Sequence, residues 1–170
     1  MKSKKNLVFL GMMGSGKSSI GTLLAKRLNL NFIDIDKQIE IETGLTIRKI
    51  FETKDEDFFR KLEEKITLRV LKLKSTVIAL GGGAFINRNI KKEVIKNHLS
   101  FWLNWDSKIL ISRIKNSKKR PIAFEASEDE LIDLIKYRSN FYSKALYEIK
   151  CDNLSKNEII NEIIKIYETN

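Results

Sequence analysis

The chain has 170 residues, of which 42% are hydrophobic and 32% charged, and its formal net charge is +10. This length and composition predict a single domain over residues 1–170, and no apolar run is long enough to cross a membrane. Basic residues are scattered, without an aromatic-interleaved basic stripe or a zinc-ligand spacing, so we expect neither a nucleic-acid nor a membrane partner. The lone cysteine, Cys151, excludes an internal disulfide and favours a cytoplasmic location. We expect this cysteine to fill space in a buried strand. We also expect the protein to be a monomer.

Strand-like and helix-like segments alternate along the chain. The predicted strands are residues 5–10, 31–35, 76–80, 99–104 and 148–152. The predicted helices are residues 17–28, 36–43, 46–53, 57–74, 88–96, 107–116, 128–146 and 156–168. Two strands contain the apolar runs LVFL and VIAL, as expected where both faces of a parallel sheet are covered. The pattern predicts an α/β fold, a three-layer α/β/α sandwich around a five-stranded parallel sheet, with ligands beyond the carboxyl ends of the strands.

The first strand runs directly into GMMGSGKS (residues 11–18), which fits the P-loop spacing G-x-x-x-x-G-K-[ST]. Glycines let the backbone turn tightly and direct its N–H groups toward an anion, and the next helix adds the positive end of its dipole. Lys17 can then reach the β- and γ-phosphates, and the Ser18 hydroxyl can bind Mg²⁺. A glycine turn between core elements is the alternative, but the flanking apolar strand and helix favour a nucleoside triphosphate and a P-loop NTPase fold.

The second strand ends in FIDID, where Asp34 and Asp36 alternate with isoleucines. This alternation places both carboxylates on one side of an extended strand, facing the phosphate loop. One carboxylate is expected to act on Mg²⁺ through its waters, and the other to accept a hydrogen bond or proton from a hydroxyl group. The alternative is a polar strand edge in which Asp36 caps the next helix.

The third strand ends in Gly81, Gly82 and Gly83, at the place where many P-loop proteins carry a metal-binding aspartate. We therefore favour Asp34 as the carboxylate on the metal side. Three residues without side chains let the backbone approach a ligand closely, although a plain loop could have the same sequence.

Lysines outnumber arginines three to one in this chain, yet arginines stand at the candidate anion sites. Arg60 lies three residues before Glu63 on a predicted helix, so the acid can hold the guanidinium, but an ordinary surface ion pair would look the same. Arg138 lies on a long predicted helix, where a plain surface position is again the alternative. The planar fork of arginine suits carboxylates and phosphates, which favours anion binding at both positions.

A polar, irregular stretch at about 113–128 is predicted to be a mobile lid. Arg113 stands near the end of the helix that precedes it, and Arg120 precedes the only proline of the chain. A lid of this kind would carry Arg120 over the phosphates.

The segments GMMGSGKSSIG, DIDKQIE, GLTIRKIF, FFRKLE, LGGGAF, RPI and RSNFYSKA together resemble the shikimate kinases, and the likeness covers nearly the whole chain. The resemblance implies transfer of the γ-phosphoryl group of ATP to the 3-hydroxyl of shikimate, in aromatic amino-acid biosynthesis, with Mg²⁺ as the cofactor. The ATP-binding residues that it implies are Gly14, Ser15, Gly16, Lys17, Ser18, Ser19, Arg113 and Arg120. The shikimate-binding residues that it implies are Asp36, Arg60, Gly82 and Arg138, with substrate-binding helices at about 36–62.

The same resemblance implies the roles of particular side chains. Lys17, Asp36 and Arg120 are the implied catalytic residues, and Arg113 is implied to stack near the adenine. Ser18 and, through water, Asp34 are the implied magnesium ligands. Glu63 is implied to steady Arg60. The chain departs from the family pattern at Asp55, where glycine is usual, and we expect this change to affect only a turn.

Other functions stay open on the sequence. A related kinase for gluconate or a nucleoside monophosphate shares the phosphate loop, but a neutral sugar would not need two carboxylate-binding arginines, and a nucleotide would need an aromatic slot. A nucleotide-dependent switch is favoured only by the charge of +10, and no guanine-recognition motif N-K-x-D occurs. Whether Asp36 takes a proton or only orients the hydroxyl is also open.

Overall fold

Five parallel strands form one sheet in the residues that the structure, a computed structural model, describes: 5–116 and 126–170. The strands are β1 (Leu7–Leu10), β2 (Asn31–Asp34), β3 (Thr76–Ala79), β4 (Leu99–Asn104) and β5 (Tyr147–Lys150). Their order is β2-β3-β1-β4-β5, and every neighbouring pair is parallel. The strand before the phosphate loop is therefore central, and the carboxyl ends of all five strands meet at one edge of the sheet.

The helices agree with the predicted ranges to within a few residues. They are α1 (Lys17–Leu28), α2 (Ile35–Thr43), α3 (Ile47–Thr53), α4 (Glu56–Leu71), α5 (Arg88–Asn97), α6 (Ser107–Lys115), α7 (Glu128–Tyr142) and α8 (Lys156–Glu168), with a 3₁₀ turn at Ala84–Ile86. Helix α8 begins with the capping box of Ser155 and Glu158 that its sequence pattern indicates. Asp55 caps α4, because its carboxylate accepts the N–H of Phe58 at 2.7 Å. Within the described ranges, no helix combines the length and apolar character needed to cross a membrane.

Side chains of β1 alternate between two hydrophobic cores, one on each face of the sheet. Val8 and Leu10 pack in the core formed with α4, α5 and α7, whereas Leu7 and Phe9 pack in the core formed with α1 and α8. All four side chains are at most 1% exposed. Burial on both faces explains the uninterrupted apolar run and confirms the predicted three-layer architecture.

Two local predictions are wrong in detail. Strand β2 ends at Asp34, and Asp36 lies in the first turn of α2, so the two carboxylates are not alternate residues of one strand. The helix starts early because Asp34, rather than Asp36, is its N-cap and accepts the N–H of Lys37 at 3.3 Å. Cys151 is buried as expected but follows β5 instead of lying in it. Burial raises the pKa of its thiol to about 12, which makes it an unreactive packing residue.

Candidate active site

The phosphate loop joins β1 to α1 at the carboxyl edge of the sheet. Gly14 and Gly16 have φ angles of 79° and 88°, in the left-handed region that side chains disfavour. The turn is closed by the N–H of Ser15, which donates to the Met12 carbonyl at 3.2 Å. Gly16 is the N-cap of α1, and no side-chain hydrogen bond caps this helix. The loop therefore leaves the N-terminal end of α1, with its positive dipole, open toward an anion.

The ammonium group of Lys17 is held at the mouth of this loop. Its Nζ atom donates to the carbonyl oxygens of Gly11 at 2.7 Å and Met12 at 2.9 Å. Lys17 also lines a cavity of about 280 Å³, whose wall includes Gly14, Ser18, Asp34 and Asp36. The cation is thus fixed beside the space that the phosphates of a bound nucleotide would fill.

Hard oxygen ligands meet on one side of this cavity. The Ser18 hydroxyl is hydrogen-bonded to the Asp34 carboxylate, and Asp34 and Asp36 both line the cavity wall. No cluster of three or more histidine, cysteine or acidic side chains occurs in residues 5–116 and 126–170. Magnesium in kinases is usually bound by one or two protein oxygens together with substrate phosphates and waters, and Ser18 with Asp34 fits that pattern.

Arg60 and Glu63 form a partly buried ion pair on α4. Arg60 Nη1 lies 2.7 Å from Glu63 Oε2, and its Nη2 lies 3.1 Å from Glu56 Oε1. Glu63 is only 2% exposed, so this is not the ordinary surface pair that the spacing also allowed. Burial raises the pKa of Glu63, although Arg60 acts to lower it. Burial also acts to lower the pKa of Arg60, but Glu63 and Glu56 outweigh this effect and raise it.

The charged side chains of the predicted acceptor site converge on the three glycines that follow β3. A Cβ atom added to Gly81 would lie 2.6 Å from Glu63 Oε1 and 2.8 Å from Asp36 Oδ1. A Cβ on Gly83 would lie 2.7 Å from Arg60 Nη1, and one on Gly82 would lie 3.0 Å from Arg138 Nη1. A side chain at any of these three positions would therefore displace a charged group from its place. These distances also show that α2 and α7 each bring one predicted residue to the same loop, and that α4 brings two, Arg60 and Glu63.

Helix α7 supplies Arg138 and a second residue that fixes the glycine loop. Arg138 Nη1 lies 3.9 Å from Met12 Sδ, and its Nε atom is buried without a hydrogen-bond partner among the described residues. One turn later, the fully buried Tyr142 donates its hydroxyl to the Gly82 carbonyl. Tyr142 thereby sets the orientation of the peptide that follows Gly82.

A second cavity of about 380 Å³ opens on the other side of the phosphate loop. It is lined by Gly14, Ser15, Gly16, Ser19, Ile20, Trp105, Arg113, Leu154 and Lys156. The guanidinium carbon of Arg113 lies 3.9 Å from the ring centroid of Trp105, and its Nη1 donates to the Gly14 carbonyl at 3.2 Å. A space next to the phosphate loop with a stacked guanidinium in its wall suits a nucleoside.

Sequence reasoning missed Tyr142, Trp105 and Glu56. The signal for Tyr142 was its position four residues after Arg138, which puts both on one face of α7. Trp105 follows directly after β4, and thus stands at the carboxyl edge where ligands bind. Of the predicted site residues, only Arg120 lies outside the described residues, together with most of the predicted lid.

A phosphate loop on a parallel sheet, next to a cluster of two arginines and two buried or half-buried carboxylates, is typical of a P-loop kinase that phosphorylates a small anionic acceptor. A family model described as shikimate kinase matches residues 13–168. The chain belongs to the shikimate kinase family, the ATP-dependent kinases that phosphorylate a hydroxyl group of shikimate.

Similar proteins match along almost their full length. A shikimate kinase of a Sulfurihydrogenibium species is 37% identical over 160 residues, which are 94% of this chain and 96% of that protein. The Bacillus subtilis shikimate kinase is 38% identical and covers 95% of this chain and 88% of its own. The structure of an Acinetobacter baumannii shikimate kinase in complex with shikimate superimposes with a TM-score of 0.91 at 29% identity, over 99% of this chain and 95% of that one. These matches favour shikimate over gluconate or a nucleotide as the acceptor.

Proposed function

We propose that the chain transfers the γ-phosphoryl group of ATP to the 3-hydroxyl of shikimate, giving shikimate 3-phosphate and ADP on the route to chorismate and the aromatic amino acids. The observation that carries the proposal is the convergence of Arg60, Arg138 and Asp36 on the glycines after β3, beside the phosphate loop. Shikimate has one carboxylate and three hydroxyl groups, and this pocket offers two cations for the former and a carboxylate for the latter.

On the nucleotide side, the backbone of residues 14–19 binds the ATP phosphates in our proposal. Lys17, anchored on two loop carbonyls, neutralises charge on the β- and γ-phosphates as it develops in the transition state. Arg113, in the wall of the second cavity, stacks against the adenine. Arg120 and the lid at about 113–128 close over the phosphates and exclude water; this part remains a prediction from the sequence.

Magnesium fits the pocket at Ser18 and Asp34. Ser18 would bind the ion directly and Asp34 through a water molecule, because the hydrogen bond between them places both oxygens at the phosphate side of the cavity. The ion, when bound, screens the negative charge of the phosphates during transfer.

On the acceptor side, Arg60 and Arg138 bind the shikimate carboxylate, and the Gly82 N–H adds a backbone donor. The Nε atom of Arg138 is buried, which leaves the Nη1 and Nη2 groups of the fork as the donors for a bound carboxylate. Glu63 and Glu56 hold Arg60 in place from the opposite side. The pocket is thus preorganised for a planar anion.

Asp36 lies between these two sides, since it lines the phosphate cavity and approaches Gly81. It accepts the hydrogen bond of the 3-hydroxyl and takes its proton as the new O–P bond forms. The bond between the γ-phosphorus and the β–γ bridging oxygen breaks in the same step, and the electron pair leaves with ADP. Most of the rate enhancement comes from positioning and charge neutralisation.

A direct test is an ADP-release assay with shikimate, gluconate and UMP in parallel, with the product identified by ³¹P NMR. We expect ADP release with shikimate alone and a phosphate ester on its 3-hydroxyl. Equal release with gluconate or UMP, or phosphorylation at another hydroxyl, would contradict the proposal. Omission of Mg²⁺ from the same assay tests the cofactor, since turnover should fall to background.

We further propose that the protein works as a single-domain, cytoplasmic monomer without nucleic-acid or membrane partners. The unreactive, buried Cys151 and the scattered positive charge support this proposal. Light scattering after size exclusion, with and without added DNA or anionic vesicles, tests it; a stable dimer or a retained complex would contradict it.

A further inference from the structure

Trp105 stands between β4 and α6 and touches the nucleotide loop through its polar edge. Its indole N–H donates to the Ser15 carbonyl at 2.9 Å. The ring is half-buried and packs against both hydrophobic cores, which anchors it at the edge of the sheet. The hydrogen bond therefore ties the phosphate loop to a rigid part of the fold.

A hydrogen bond to the Ser15 carbonyl also orients the next N–H group. The structure has no cis peptide bonds among its described residues, and in a trans peptide the carbonyl and the following N–H point in opposite directions. Since the Ser15 carbonyl points to Trp105, the N–H of Gly16 points to the other side of the loop. The preceding carbonyl, that of Gly14, is held in the same way, because it accepts a hydrogen bond from Arg113 Nη1 at 3.2 Å. Two consecutive carbonyls are thus held outward by one stacked pair.

The flat face of Trp105 has a second effect. The guanidinium of Arg113 lies on it at 3.9 Å from the ring centroid, and both residues line the second cavity. Arg113 is exposed overall, so the guanidinium face that the indole does not cover is open to a further planar group. A base in this cavity would complete a stack of indole, guanidinium and purine.

We propose that Trp105 is a positioning residue for ATP, which orders the phosphate loop through the Ser15 carbonyl and presents Arg113 to the base. This inference rests on the proposed function only in taking ATP as the nucleotide, and it concerns neither the acceptor pocket nor the transfer step.

Two substitutions separate the two effects. Trp105→Phe keeps a ring under Arg113 but removes the N–H donor, whereas Trp105→Leu removes both. ADP and inorganic tripolyphosphate, titrated by calorimetry, are the probes, because the second has phosphates and no base. We expect Trp105→Phe to weaken both ligands by about 3- to 10-fold, the effect of one hydrogen bond. Trp105→Leu should weaken ADP by a further factor of about 3 or more, and tripolyphosphate no further.

The matched control is Trp102→Phe, which makes the same change of side chain in β4, at a buried position where the indole packs against Tyr142 and, among the described residues, makes no hydrogen bond to the phosphate loop. Its ADP affinity should stay within about twofold of the unmodified protein. The chain has two tryptophans, so this variant also leaves Trp105 as the single indole fluorophore. Its emission should change on addition of ADP and stay constant on addition of shikimate alone.

The kinetic signature is a rise in the KM for ATP with an unchanged KM for shikimate in Trp105→Phe. Equal rises in both KM values, unchanged ADP affinity, or emission that ignores ADP would each overturn the proposal. These outcomes are distinct from failure of the proposed function, in which shikimate would not be phosphorylated by the unmodified protein while the ADP titrations would still report on Trp105.

Discussion

Glycine serves different purposes in the two halves of the proposed active site. In the phosphate loop, Gly14 and Gly16 have positive φ angles and are required by the path of their own backbone. In the acceptor half, Gly83 has a φ of −100°, which any residue adopts, yet a Cβ there would lie 2.7 Å from Arg60. In the first case the requirement is local, and in the second it comes from Arg60, which lies 23 residues earlier in the chain.

The comparison extends to the whole site. The nucleotide half is built mainly by one contiguous segment that folds back on itself through backbone N–H groups and carbonyls. The acceptor half is assembled from side chains of α2, α4 and α7, which meet only because the sheet brings their ends together. Substitutions in the two halves should therefore fail in different ways.

The largest effect is expected for Lys17→Ala in the nucleotide half. Loss of the ammonium group that donates to the Gly11 and Met12 carbonyls should lower kcat by about 10²- to 10³-fold, as removal of one transition-state donor does. Shikimate binding by calorimetry and the circular dichroism spectrum should be unchanged. Near-normal turnover in a folded variant would refute the role of Lys17.

Asp34 and Asp36 lie where the two halves meet, and we expect their substitution to have different effects. Asp34→Asn should raise the Mg²⁺ concentration needed for half-maximal rate and leave nucleotide-free shikimate binding unchanged. Asp36→Asn should keep the Mg²⁺ requirement but lose shikimate affinity and about 10²-fold in kcat, because the attacking hydroxyl loses its acceptor. The measurement is a titration of rate against Mg²⁺ and shikimate together. Identical or exchanged profiles would break the assignment.

Glycine-to-alanine changes test the comparison most directly. Gly83→Ala should displace Arg60 and raise the KM for shikimate by about 10-fold or more, the effect of a lost charge-assisted hydrogen bond, with the KM for ATP unchanged. Gly16→Ala should raise the KM for ATP and leave the KM for shikimate unchanged, because the φ of 88° at this position strains any residue with a side chain. If both variants lost ATP and shikimate binding equally, the two halves would not be independent.

A smaller effect is expected for Arg138→Lys, which keeps the charge and removes the planar fork. We expect the KM for shikimate to rise by about 3- to 10-fold, since one hydrogen bond to the carboxylate is lost, while ATP affinity stays within twofold. Calorimetric titration with each substrate provides the measurement. Weakened ATP binding with intact shikimate binding would move Arg138 to the nucleotide half.

The smallest effect is a pH dependence confined to the acceptor half. Because burial raises the pKa of Glu63, this carboxylate takes up a proton at a higher pH than an ordinary glutamate, whose pKa is about 4.3. Neutral Glu63 holds Arg60 less firmly, so shikimate affinity should fall as the pH is lowered from 8 toward 5, and ADP affinity should fall less. In Glu63→Gln, shikimate should bind more weakly at pH 8 with a flatter profile. An unchanged slope in that variant would assign the pH dependence to another group.

The sequence predicted the strand, loop and helix of the nucleotide half well because the information for them is local. The spacing of glycines, Lys17 and Ser18 defines the loop without reference to the rest of the chain, and the flanking apolar periodicities define β1 and α1. The alternation of strands and helices was enough to predict the three-layer architecture, since each segment shows the hydrophobic periodicity of its own secondary structure. Helix ends were less accurate: with Asp34 as its N-cap, α2 starts at Ile35, one residue earlier than predicted.

The residues of the acceptor half could be proposed from the sequence, but their arrangement in space could not be derived from it. The Arg60–Glu63 spacing occurs equally on solvent-exposed helices, and only the 2% exposure of Glu63 separates the two cases. Tyr142 was missed because the Gly82 carbonyl that it binds lies 60 residues away in the chain. Trp105 was missed because the carbonyl to which its indole N–H donates lies 90 residues earlier in the chain and is a backbone group, which no side-chain pattern indicates.

The position of β1 at the centre of the sheet has a consequence for synthesis of the protein. Its two neighbours are β3 and β4, and Leu7 pairs with Val77 on one side and Leu99 on the other. A nascent chain on the ribosome therefore carries the apolar β1 segment without either neighbour until some 70 further residues have been made, and with only one neighbour until some 90, and parallel pairing over such separations is slow. Chains stalled before β4 should bind chaperones and no ATP, and both properties should reverse once residues 99–104 leave the exit tunnel.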